Sequence, residues 1–132
     1  MEDIKYWYKY VQDIISLIDT CILQGDTESI TLKLLSEKLG YSEYYSSRKF
    51  SEISGLSFRN YLYYRKLSFA LKELRDNHSK IIDIALKYGF SSPEAFSRAF
   101  KKAYGIRPSE YRKNPIPVVL QTIIKPFDCY IT

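Results

Sequence analysis

The chain repeats itself. Gly40-Tyr41-Ser42 reappears as Gly89-Phe90-Ser91 at an offset of 49 residues, and Ser47-Arg48-Lys49-Phe50 reappears as Ser97-Arg98-Ala99-Phe100 at an offset of 50. Gly55-Leu56 and Gly105-Ile106 keep the offset of 50, so the second copy carries one inserted residue after its glycine turn. Each copy reads as an apolar helix, a Gly turn, an aromatic, a Ser, and a second helix closed by Gly. Glycine tolerates the left-handed backbone that ends a helix sharply. Serine accepts a hydrogen bond from the free amides of a first turn. Two short helices joined by a Gly-bearing turn make a helix-turn-helix. A chain that carries this pattern twice is constrained to be helical over most of its length.

The remaining segments fit that frame. Tyr6 to Leu23 places Trp7, Tyr10, Val11, Ile14, Ile15, Leu17, Ile18 and Ile22 on one helical face, and Gly25-Asp26 closes it. Ser29 or Thr31 can cap a helix from Leu32 to Leu39, and Ser42 can cap Glu43 to Ser54. A long run from Ser57 to Asp76 turns Phe58, Tyr61, Leu62, Leu67, Ala70, Leu71 and Leu74 inward, and Asn77-His78-Ser79 breaks it. The second copy follows with Ile81, Ile82, Ile84, Ala85 and Leu86, then a helix from Ser92 to Tyr104. Pro108 can start a last helix ending at Lys113. The expected fold is all-α. It has about seven helices, with two helix-turn-helix subdomains, about 31–55 and 80–105, joined by a long connecting helix. These lie within a domain over residues 1–114. Residues 115–132, apolar, β-branched and interrupted by Pro115, Pro117 and Pro126, read as a short extended C-terminal tail, or a linker to a further domain.

Composition narrows the function classes. Hydrophobic residues make up 45% and charged residues 27%, which suits a folded core. No stretch approaches the roughly 18–20 apolar residues that cross a bilayer, and the N-terminus does not read as a secretory signal. Cys21 and Cys129 stand far apart without ligand-spaced companions, so neither a disulfide framework nor a zinc site is indicated. A cytoplasmic setting is expected. His78 is the single histidine and lies in an inter-helix turn. No catalytic constellation, phosphate loop or cofactor motif is present, and an enzyme is not expected. The charge is uneven: −3 over residues 1–40 and +8 over residues 41–114. A basic middle suits a polyanion partner.

The repeated Ser-Arg sharpens that expectation. Phe50 and Phe100 should point inward, and an arginine two residues earlier lies about 200° around the helix. Arg48 and Arg98 then face outward from equivalent places on duplicated helices. Arginine is the commonest specific reader of guanine and also clamps phosphate. The connecting helix, about 20 residues or roughly 30 Å long, matches the spacing of successive major grooves, about 34–36 Å. One chain can thereby address two half-sites. The rival reading is a helical protein-interaction module built on the 13 tyrosines, Tyr44-Tyr45 and Tyr61, Tyr63 and Tyr64 among them.

Over about residues 27–113 the sequence resembles the AraC/XylS family of bacterial transcription regulators. The likeness is strongest in Ile84-Ala85, Tyr88-Gly89-Phe90, the run from Phe96 to Lys102, Gly105, Pro108 and Tyr111-Arg112. The resemblance implies sequence-specific binding of double-stranded DNA in the major groove and control of transcription through contact with RNA polymerase. By position it implies Tyr44, Ser47 and Arg48 as readers in the first unit. In the second it implies Pro93, Glu94, Ser97 and Arg98, with Lys101 and Lys102 on the same helix, and it gives Arg65 a structural role. The chain departs from the family pattern at Ser46 and Lys49, where apolar residues are usual, so the first reading helix is expected either to pack less firmly or to bring Lys49 to phosphate as a DNA contact. The tail resembles a junction to a GyrI-like effector-binding domain, through which a small-molecule effector would act.

Overall fold

Helix boundaries in this chain fall where the capping residues put them. The computed structural model describes residues 4–25 and 30–120. Among these, seven helices follow in order: α1 (Ile4–Leu23), α2 (Leu32–Leu39), α3 (Glu43–Ser54), α4 (Phe58–Asp76), α5 (Ile81–Lys87), α6 (Pro93–Tyr104) and α7 (Pro108–Lys113). The architecture is the all-α one expected, with no strand among the described residues. Thr31 is the cap of α2, its hydroxyl accepting from Leu34 N–H at 3.2 Å. Ser29 and Asp26 lie outside the described residues.

The two copies end their first helices in the same way. Gly40 N–H donates to Glu37 O and Tyr41 N–H to Ser36 O; Gly89 N–H donates to Leu86 O and Phe90 N–H to Ala85 O. That paired closure is a Schellman turn, and it requires the positive φ of 81° at Gly40 and 86° at Gly89. The inserted residue of the second copy follows directly. The cap of α3 is Ser42, accepting from Tyr45 N–H at 3.2 Å, whereas the cap of α6 is Ser92, accepting from Ala95 N–H at 3.0 Å. Ser91 is the extra residue, and the turn absorbs it. α3 and α6 are each 12 residues long.

The described residues divide into two compact units, one running through Leu62 and the other from Tyr63. In the first, α1 lies on α2 and α3, burying Tyr10, Val11, Ile14 and Ile18. Phe50 is fully buried, its ring edge-on to Phe58 at 5.7 Å and to Tyr61 at 5.2 Å. In the second, Phe100 is fully buried against Phe96, Tyr104 and Tyr111, with centroids 5.7, 4.8 and 5.8 Å away. Phe50–Tyr61 and Phe100–Tyr111 are the same pair at an offset of 50. The repeat therefore extends one helix further than its sequence motif, and α7 corresponds to the start of α4. Each such ring contributes about 1.5–3 kcal/mol by burial, with about 0.5–1.5 kcal/mol more from edge-to-face geometry.

Polar fastenings complete the second unit. Glu73 of α4 accepts from Lys87 Nζ and from Tyr88 Oη, the latter at 2.5 Å. Burial pushes the Glu73 carboxyl up, but those two hydrogen bonds and the Lys87 charge outweigh it and hold the group below its ordinary value. Arg112 of α7 donates to Leu74 O at 3.1 Å, Ser79 O at 2.6 Å and Asn77 O at 3.3 Å. One guanidinium thus satisfies a carbonyl left free at the end of α4 and two in the loop behind it.

Two expectations need adjustment. α1 begins at Ile4, ahead of Tyr6. Ile82 and Leu86 are 46% and 56% exposed, because α5 turns only Ile84 and Ala85 inward before Tyr88. Residues 115–120 form no strand, and the rest of the tail, Cys129 included, lies outside the described residues. No described helix is long and apolar enough to cross a membrane.

Candidate nucleic-acid interface

α6 is amphipathic by position. Ser92 fixes its entry, Pro93 occupies the first turn where the missing amide costs nothing, and Phe96, Ala99 and Phe100 face inward. The opposite stripe carries Pro93, Glu94, Ser97, Arg98 and Lys101, at spacings of one, three and four residues. These five side chains line one open groove, and Arg107 and Ser109 complete it. Lys102 is exposed one step further around the helix, outside that groove. Arg107 and Ser109 had no place among the sequence-derived candidates. The chain reaches them only after reversing at Gly105, where φ is 78°. Their signal in the sequence was limited to polar residues flanking Pro108.

On α3, Tyr44, Ser47 and Arg48 share the exposed face, with Tyr44 at 65% exposure. The Arg48 guanidinium lies over the Tyr44 ring, 5.7 Å from its centroid, and Nη1 donates to Tyr44 Oη at 3.4 Å. Tyr44 therefore limits where the Arg48 fork can point. Preorganisation of that kind favours a planar, bidentate partner.

Lys49 does not join them. It is 9% exposed, with Nζ 3.2 Å from Glu52 Oε2 and 5.4 Å above the Trp7 ring. Its stem runs along apolar surface while its ammonium keeps a carboxylate and an aromatic face, as long cationic side chains can. In this position Lys49 braces α3 against α1.

Ser46 is the other departure from the apolar pattern. It is fully buried, yet nothing about it is loose. Its hydroxyl donates to Ser42 O at 2.9 Å, and its oxygen is bonded to Tyr10 Oη. Serine has one proton, so with that proton on Ser42 the Tyr10 hydroxyl is the donor to Ser46. Burial raises the Tyr10 phenol, more than the Ser46 bond lowers it, and the proton stays on. Tyr41 packs edge-on against Tyr10 with centroids 4.5 Å apart, and Trp7 lies 5.5 Å from both rings. The two departures from an apolar pattern, Ser46 and Lys49, are thus each met by an aromatic residue of α1.

His78 is exposed in the α4–α5 loop. Arg65 places its guanidinium 5.2 Å from the Phe69 centroid on α4. Among the described residues no group of three or more His, Cys, Asp or Glu side chains is arranged to hold a metal ion.

Comparison with known proteins gives three kinds of likeness. Residues 35–114 match the family described as a helix-turn-helix domain. The chain is 36% identical over 104 residues to a probable transcription factor, PqrA, of Proteus vulgaris, covering 79% of this chain and 84% of that protein. It is 35% identical over 104 residues to the regulatory protein SoxS of Escherichia coli K12, covering 79% of this chain and 94% of SoxS. Among solved structures, the C-terminal domain of AraT, a response regulator from Geobacillus stearothermophilus, superposes with a TM-score of 0.66 at 31% identity. That match covers 81% of this chain and 86% of the AraT domain.

Proposed function

The chain belongs to the AraC-type helix-turn-helix family, and on that premise we propose that it regulates transcription by placing α3 and α6 in successive segments of the major groove. The observation that carries this reading is the reading face of α6. Pro93, Glu94, Ser97, Arg98 and Lys101 converge on one open groove, and a matching exposed stripe on α3 presents Tyr44, Ser47 and Arg48. The DNA-binding domain spans residues 1–114, with helix-turn-helix units at about 31–55 and 80–105. Double-stranded DNA is the partner, and RNA polymerase is the second partner through which binding is converted into control.

Arg98 reads guanine through both of its terminal nitrogens, and Glu94 accepts from a cytosine amino group, the pairings that groove geometry favours. Selection of bound sites from random duplex DNA tests the whole reading: a two-part site with half-sites about one helical turn apart is expected. Arg98→Ala should cost about 1–3 kcal/mol at one base position and leave the others unchanged. A uniform loss over all sequences would make Arg98 a phosphate contact instead.

The stretch from Pro115 onward leads toward an effector-binding domain of the GyrI-like kind, a reading that rests on sequence alone. Truncation after Asn114 should then leave the thermal melt of the helical units unchanged. A lower melting temperature would mean that the tail packs on them.

A further inference from the structure

The two reading faces are built to the same plan but carry different charge. Residues 93–109 and 43–59 correspond one to one at the offset of 50; the first stretch has a net charge of +3 and the second +1. The difference is concentrated where the groove lies. Arg98, Lys101 and Arg107 surround it, with the hydroxyls of Ser97 and Ser109 between them, and all three cations are exposed. The matched residues of the first unit are Arg48, Ser51 and Ser57. Lys102 is matched by Glu52, and Glu52 is engaged with the ammonium of Lys49. Arg59, at the position of Ser109, returns one exposed cation to the first unit.

Resting on the duplex-binding reading above, we propose that Lys101 and Arg107 form a phosphate clamp beside α6, so that the second unit anchors the chain on the duplex while the first contributes base reading with little electrostatic grip. Phosphate contacts supply most sequence-independent affinity and scale with the number of cations engaged. In a groove that also holds the reading residues, a clamp fixes the register of Arg98 on the base edges. The first unit lacks the clamp but holds Arg48 against Tyr44 and braces α3 on α1. Its contribution is therefore to selectivity. The chain docks unequally: both units read bases, but the second supplies most of the phosphate grip.

The slope of log K against log salt reads this directly. The probe is a random-sequence duplex about three turns long, titrated by anisotropy between roughly 50 and 200 mM NaCl. The double variant Lys101→Gln/Arg107→Gln should lower the magnitude of the slope by about 1.8, equivalent to about 60-fold weaker binding at 0.1 M salt. The matched variant Arg48→Gln/Arg59→Gln also removes two exposed cations and should lower it by less than about 0.9. Transplanting the clamp with Ser51→Lys/Ser57→Arg should steepen the slope, and this variant does not depend on the folding of the depleted ones. Equal losses in the two depleted variants, or no steepening in the transplant, overturn the unequal docking. A wild-type chain that binds the duplex without salt dependence overturns the DNA reading itself, so the two failures are told apart.

Discussion

Replacing Phe100 by alanine is expected to cost about 3–5 kcal/mol, the range for deleting a buried phenylalanine, and to unfold the second unit while the first remains structured. Phe100 has no solvent exposure and touches the rings of Phe96, Tyr104 and Tyr111. No flexible side chain lies among those three partners to relax into the space. Small domains have about 5–15 kcal/mol of stability in all, so a loss of this size is a large fraction of it. Amide hydrogen exchange checks the outcome residue by residue. Protection should collapse across α5, α6 and α7 and persist in α1 and α3, and duplex binding should fall with it. An even loss of protection across both units would show that they melt as one body.

Ser46→Leu restores an apolar residue of the kind usual at that position, and it is expected to destabilise the first unit by about 2–4 kcal/mol. Two costs combine. The larger side chain must displace the Tyr10 ring from a fully buried site, and overpacking of a core typically costs about 1–3 kcal/mol. It also strands the buried Tyr10 hydroxyl, a penalty of about 1–3 kcal/mol, which overlaps with the first if the ring moves out to solvent. Urea melts of Ser46→Leu alone and combined with Tyr10→Ala separate these effects. The second substitution removes both the ring and the stranded hydroxyl, so the double variant should recover part of the loss. If Ser46→Leu is neutral or stabilising, the Tyr10–Ser46 bond contributes nothing and the packing account of α1 on α3 is wrong.

Much of this architecture was legible because its punctuation is chemical. Gly40, Gly55, Gly89 and Gly105 all adopt positive φ, and Ser42 and Ser92 both accept from the amide three residues on. Helix ends and the internal repeat therefore followed from residue types that have few other uses. The exposed position of Arg48 and Arg98 followed from helical period alone. The choice of Ser92 over Ser91 as the cap of α6 did not follow from the repeat, because either serine can align with Ser42. Lys49 was less legible. A lysine beside a core phenylalanine is ordinarily solvent-facing, and its burial depends on Trp7 and Glu52, one 42 residues away in sequence and the other on the next turn. Local pattern carries no information about such a partner. Arg107 and Ser109 were missed for the same reason, since they meet α6 only through the reversal at Gly105.

The brace on α3 has an optical consequence. Trp7 is the single tryptophan of the chain, and it sits in the first unit with the Lys49 ammonium 5.4 Å above its ring and Tyr10 and Tyr41 at its edges. Its emission is therefore sensitive to the seating of α1 on the first reading helix, whereas the second unit contains only tyrosine and phenylalanine chromophores. The molecule carries a native fluorophore that labels one half. Excitation at the red edge of the indole band would report that half alone, without any dye or inserted residue.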